Sequence, residues 1–126
     1  MARPKAKELT DRELEVMHVV WTRGESTIAE IRDQMADEGR ELAYTTVATL
    51  VRILTEKGFL EQTGEQRPFS FRPLRSFDEV SGSILGDLVK RLFHGSREQL
   101  LLRLFDEKLS PKERSLLKNI LREHEK

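Results

Sequence analysis

The sequence contains no cysteine. That excludes a disulfide framework and any thiolate metal site, and a reducing, cytoplasmic setting is the expectation. Its three histidines, His18, His94 and His124, are scattered. None forms a His-x-x-x-His pair, so no metal and no cofactor is expected. Glycine is sparse, at seven residues in 126, and no phosphate-cradling loop or nucleophile elbow is present. Carboxylates are plentiful but fall on faces that read as solvated, and nothing singles out an acid–base pair. An enzyme is therefore not expected. The longest apolar run, LLLRLF, is interrupted by Arg103 and far too short to cross a bilayer. The start, MARPKAKELTDRE, lacks the apolar stretch of a secretory signal. Net charge is also absent, with 22 basic and 22 acidic residues. Nucleic-acid binders are usually basic, so this total argues mildly against that role.

What is present is a globular composition, 37% hydrophobic and 35% charged, in a length that suits one domain or two small ones. Charge is unevenly spread. Arg3, Lys5 and Lys7 make a basic tail, while Arg67, Arg72 and Arg75 face only Glu65 within residues 62–75. Acid gathers at Asp11, Glu13 and Glu15 and at Asp37, Glu38 and Glu41.

Helix starts are legible. Thr10-x-x-Glu13 and Thr27-x-x-Glu30 are capping boxes, in which side chain and backbone satisfy each other's orphan N–H groups. Leu14, Met17 and Trp21 line the first helix, with Val16 and Val20 beside them; Ile28, Ile31 and Met35 line the second. After a polar connection at 36–42, Val47, Leu50, Val51 and Leu54 recur at i, i+3, i+4 and i+7 and mark a third helix that ends at Gly58, a left-handed cap. Then the period changes. Phe69 and Phe71 alternate with Ser70 and Arg72, and Thr63–Pro68 form a polar connection from Phe59–Gln62, so residues 59–72 read as a β-hairpin. From Ser76 the helical period returns, with further starts at Ser96 and at Ser110-Pro111. Three helices followed by a two-stranded wing form a winged helix-turn-helix, in which the third helix enters the major groove and the wing lies on the adjacent backbone. The expected fold is mainly α with a small β-hairpin. A winged-helix domain over 1–75 precedes a helical dimerisation domain over 76–126.

The third helix has a second face. Thr45, Ala48, Thr49 and Arg52 share one sector opposite Val47 and Leu54, with Thr46 beside them. Threonine is a poor helix former, and three in place of alanine cost about 1–2 kcal/mol. Their hydroxyls donate and accept, and their methyl groups pack on thymine methyls. Tyr44 reaches a phosphate or stacks at the helix start, Arg52 reaches a phosphate or a guanine edge, and Arg67 at the wing tip suits a phosphate. Each residue has a plainer role open to it: threonines are tolerated at helix starts, loop arginines are usually solvated, and Tyr44 can pack on the body. Their combination on one helix before a wing is more specific than its parts.

The chain resembles the penicillinase repressor family of BlaI/MecI/CopY-type winged-helix transcriptional repressors. The likeness lies in Leu9-Thr10-Asp11-Arg12-Glu13-Leu14-Glu15-Val16-Met17 with Trp21, in Tyr44-Thr45-Thr46-Val47 with Leu50, and in Glu56-Lys57-Gly58-Phe59-Leu60. Phe69-Ser70-Phe71-Arg72-Pro73-Leu74 and the Leu109-Ser110 helix start add to it. The resemblance implies a homodimer that binds palindromic double-stranded operator DNA and blocks transcription. Carried to matching positions, it implies DNA contacts at Thr45, Thr46, Ala48, Thr49 and Arg52, with support from Arg67. Family helices of this kind often begin with a capping serine and a proline, whereas Ala43 and Tyr44 stand here. Repressors released by a membrane sensor protease carry an Asn-Phe pair near the segment matching 101–104. The resemblance admits such a protease as a partner, but Leu102-Arg103 occupy that place. The copper-responsive branch has a cysteine-rich tail, and thiolate copper sensing is excluded here.

Residues 1–75 carry 12 basic and 13 acidic groups, net −1, and residues 76–126 carry 10 and 9, net +1, so neither half is an electrostatic anchor. The last 51 residues are too few to bury much core alone. Yet Leu85, Leu88, Val89, Leu92 and Phe93 form a broad stripe, and Leu101, Leu104 and Phe105, with Leu100 and Leu102, surround most of a helix. Leu117, Ile120 and Leu121 line the last. Packing on the winged domain competes with exchange with a second chain, and we expect exchange to form the dimer. The rival function is a winged-helix protein-interaction module without sequence-specific DNA binding.

Overall fold

Local chemistry sets where each helix begins. The computed structural model describes residues 9–106 and 108–124. Helix α1 (Asp11–Arg23) opens on Thr10, whose hydroxyl accepts from the Glu13 amide at 3.1 Å while the Glu13 carboxylate accepts from the Thr10 amide at 2.9 Å. Helix α2 (Ile28–Asp37) opens on the same reciprocal pair between Thr27 and Glu30. Helix α3 (Tyr44–Glu56) starts after Ala43 without a side-chain cap. It closes in a Schellman arrangement: the Gly58 amide donates to the Thr55 carbonyl and the Phe59 amide to that of Leu54. Gly58 has φ +84°, the left-handed conformation this closure requires.

The hairpin is present as β2 (Leu60–Thr63) and β3 (Ser70–Pro73), antiparallel with Glu61 opposite Arg72 and Gln62 opposite Phe71. The structure adds a strand that the sequence pattern did not reveal. The two-residue β1 (Ser26–Thr27) pairs with the free edge of β3, so β3 is the centre of a three-stranded antiparallel sheet. Two residues are too few to show an alternating period, and both also serve the start of α2.

The core of this part of the chain is formed by Val16, Met17, Val19 and Val20 of α1, Ile31 and Met35 of α2, and Val47, Val51 and Leu54 of α3. Phe59 and Leu60 close it beneath the sheet. Val19 was not among the residues expected inside; Leu14, Trp21 and Ile28 are half-buried at its margin. The Trp21 indole N–H donates to the Arg75 carbonyl at 2.9 Å. Arg75 itself is buried, with its guanidinium 4.9 Å from the Phe59 ring centroid and its Nε 2.9 Å from Glu79 Oε1.

The chain divides into two compact units, one ending at Gly86 and one beginning at Asp87. Helix α4 (Phe77–Leu92) therefore gives Val80 and Ile84 to the first core and its last turns to the second unit. The second unit continues with α5 (Arg97–Phe105), capped by the Ser96 hydroxyl, and α6 (Pro111–His124), which opens on a reciprocal pair between Ser110 and Glu113. No residue of α5 is buried. The basic tail of Arg3, Lys5 and Lys7 and the side chain of His124 lie outside the described residues.

Candidate nucleic-acid interface

Helical geometry gives α3 two opposed sides. Val47, Leu50, Val51 and Leu54 face the core, so Thr45, Thr49 and Arg52 must face outward, and all three are exposed. Thr46 and Ala48 are half-buried at the edges of this face, and Tyr44 is exposed at its beginning. The Thr49 hydroxyl donates back to the Thr45 carbonyl at 2.9 Å. Its proton is thus used within the helix, which leaves an acceptor oxygen and a methyl group directed outward.

The start of α3 differs from those of α1 and α2. Both of these carry a capping box and an acidic residue in the first turn. Helix α3 has neither. The Thr46 and Val47 amides bond to the Ala43 carbonyl, while those of Tyr44 and Thr45 have no side-chain acceptor from the cap. An uncapped N-terminus with no acidic residue in its first turn is an electropositive end suited to an anion such as phosphate.

A groove of about 550 Å³ runs from this point to the wing, lined by Thr27, Ile28 and Ala29 of the α2 start, Tyr44 and Ala48 of α3, and Arg67, Pro68 and Phe69. It brings together Tyr44, Ala48 and Arg67 among the expected contact residues. Thr45, Thr46, Thr49 and Arg52 are not part of its lining. Arg67 lies with its guanidinium 5.7 Å from the Phe69 ring centroid. Sequence reasoning missed Arg32, whose guanidinium is 5.8 Å from the Tyr44 ring centroid while its Nε and Nη2 bond Asp33. Nothing in a single sequence links residues 32 and 44 across a helix turn.

The basic wing expected from Arg67, Arg72 and Arg75 is smaller in the structure. Arg72 is held by Glu61 at 2.7 Å across the strand pair, and Arg75 is buried against Phe59 and Glu79. Arg52 is held by Glu56 at 2.7 Å, Arg23 by Glu30 and Arg40 by Glu15. On α3 and the wing, among the described residues, Arg67 is the arginine without a carboxylate partner.

Glu13 does more than cap α1. It is 3% exposed, and Lys57, which follows the last residue of α3, donates to its Oε1 at 2.9 Å. Burial pushes this carboxyl up, but the Thr10 amide and the Lys57 ammonium together outweigh burial and hold it below its ordinary value. One carboxylate thus joins the start of α1 to the end of the outward-facing helix. No group of three or more histidines or carboxylates able to hold a metal occurs among the described residues. No helix among them is long and apolar enough to cross a membrane.

Residues 9–123 match the family described as Penicillinase repressor. The chain is 32% identical over 123 residues to the transcriptional regulator BlaI of Mycobacterium tuberculosis (strain CDC 1551 / Oshkosh), covering 96% of this chain and 88% of that protein. It is 24% identical over 118 residues to the methicillin resistance regulatory protein MecI of Staphylococcus aureus (strain N315), covering 93% and 95%. Among solved structures, the DNA-binding domain of the repressor BlaI has the same fold, with a TM-score of 0.53 at 24% identity, covering 62% of this chain and 93% of that one. These relatives are regulators rather than enzymes.

Proposed function

The chain belongs to the penicillinase repressor family, and from that premise we propose that it is a homodimeric, cytoplasmic repressor acting on a palindromic operator. Each protomer lays the Thr45, Thr49 and Arg52 side of α3 in the major groove of one half-site, with Thr46 and Ala48 at the edges of the contact. Tyr44 and Arg67 hold the flanking backbone, and occupancy of both half-sites blocks transcription. The carrying observation is the outward hydroxyl-bearing side of α3, with its uncapped start, set beside the groove that leads to Arg67.

Dimerisation is supported by the second unit. Leu88, Leu92, Leu101, Leu104, Phe105, Ile120 and Leu121 are all exposed in the single chain, as is Leu85 just before the unit boundary, while Val89, Phe93 and Leu117 are only half-buried. A soluble monomer rarely leaves so many large apolar side chains in water. A two-fold partner placing the same residues against themselves would remove it. We take residues 1–75 as the DNA-binding domain and residues 76–126 as the dimerisation domain.

The test is repeated selection of duplexes from a random pool by the full chain, followed by gel-shift with competitor DNA at moderate salt. Enrichment of an inverted repeat, with half-sites one helical turn or a multiple apart, is expected. The pairing of most arginines among the described residues favours the rival reading, a protein-interaction module, and retention of no duplex would overturn the operator reading and leave that rival standing.

A further inference from the structure

The outward side of α3 carries a cation whose counter-ion belongs to the same helix. Arg52 Nη1 lies 2.7 Å from Glu56 Oε1, and both side chains are 62% exposed. Helix stability gains little from this carboxylate. Glu56 is the last residue of α3, where the carbonyl end of the helix dipole disfavours an anion. It follows its arginine by four residues, the weaker of the two orders for a helical ion pair. No basic residue of the last turn offsets it. What position 56 does provide is a place from which a carboxylate reaches Arg52.

We propose that Glu56 is a specificity-determining residue: it cancels the charge of Arg52 while leaving its remaining N–H donors free to read a base edge. This rests on the operator-binding function proposed above. Attraction to DNA of any sequence comes from neutralising phosphates, and it scales with the number of free cations brought to the backbone. A guanidinium has five N–H donors in a planar fork. With one spent on Glu56, those that remain can still engage the N7 and O6 acceptors of a guanine, which needs alignment rather than net charge. The pair therefore removes the contribution Arg52 would make to binding unrelated DNA and keeps the one it makes at the correct site.

The experiment compares full-length wild type with Glu56→Gln on two probes: the duplex that the wild type enriches from a random pool, and an unselected duplex of equal length. Because position 56 is exposed, the fold should persist, and matching thermal melts check it. Expected for Glu56→Gln is about threefold tighter binding of the unselected duplex, with a salt dependence steeper by about one unit. Binding of the enriched duplex should gain less, so the ratio of the two affinities falls. In an Arg52→Ala background, Glu56→Gln should no longer tighten binding of the unselected duplex. Equal gains on both probes, no gain on either, or a gain that persists without Arg52 would overturn the assignment. Failure of the wild type to enrich any duplex would instead overturn the operator reading.

Discussion

The two units treat the same kind of residue in opposite ways. In the first, Val16, Met17, Ile31, Val47, Leu54 and Phe59 are removed from water almost completely. In the second, Leu92, Leu101, Leu104, Phe105, Ile120 and Leu121 are 42–64% exposed. Helix signals do not explain the difference, since α6 opens on the same reciprocal pair as α1 and α2, and α5 has a capping serine. Capping satisfies backbone groups at an end; it does not supply a surface to bury a stripe against. Three helices and a sheet enclose a core in the first unit. The second, from Asp87 onward, is too short a piece of chain to enclose one alone. Its apolar side chains stay exposed in the single chain, and the dimer proposed above would cover them.

The strongest way to break this contrast is to make α5 polar. The double substitution Leu101→Asp with Leu104→Asp places two charges on a face that should be buried in the dimer. Sedimentation at micromolar concentration is expected to show a monomer. Operator binding should weaken by about a hundredfold or more, because two linked half-site contacts become two independent ones. Trp21 fluorescence, reporting on the first core, should be unchanged. A dimer that survives the substitution would remove Leu101 and Leu104 from the interface, and a wild-type chain that sediments as a monomer would remove the interface altogether.

A smaller effect separates the units by pH. The first contains the pair of buried Glu13 with half-buried Lys57, while in the second the pairs of Arg91 with Asp87 and Arg103 with Asp106 are longer and more exposed. Glu13 has a folded value below its ordinary 4.5. Its contribution to stability is therefore fully present above that value and is lost as pH falls from it through the depressed folded value. Glu13→Gln is expected to destabilise the first unit by about 1–3 kcal/mol near neutral pH, the usual range for leaving a buried charged partner poorly satisfied. Urea unfolding followed by Trp21 fluorescence should show the gap from wild type closing as pH drops through that window. A gap that stays constant would mean that packing, not the ion pair, is what the substitution removes.

Much of the first unit was legible because its signals are local. Thr10 with Glu13, Thr27 with Glu30 and the glycine at 58 each act within a few residues, and each appears in the structure as expected. The order of helices and hairpin then defined the fold. The signals that were not legible join distant residues. Lys57 reaches Glu13 across 44 positions and Arg40 reaches Glu15 across 25. Residues 62–75 look basic in sequence for a nearer reason: Glu61 and Glu79, which pair with Arg72 across the strands and with Arg75 four positions on, lie just outside that stretch. The outward side of α3 could be read from its period, but the groove beside it could not, because it depends on where the wing folds back relative to α2 and Tyr44.

The smallest effect tests whether the cationic contact of the first unit rests on Arg67. Its guanidinium is near Phe69 and has no carboxylate partner among the described residues, whereas Arg72 on the same hairpin is held by Glu61. A free cation that meets a phosphate releases about one counterion, and a cation already paired releases less. Arg67→Ala should thus weaken operator binding severalfold and make its salt dependence shallower by about one unit per protomer. The loss should be similar on selected and unselected duplexes, since a phosphate contact carries no sequence information. Arg72→Ala should change the slope by clearly less, because its charge is already spent inside the hairpin. If the two substitutions changed the slope equally, the ion pair with Glu61 would have to open on DNA, and the wing would present two cations rather than one.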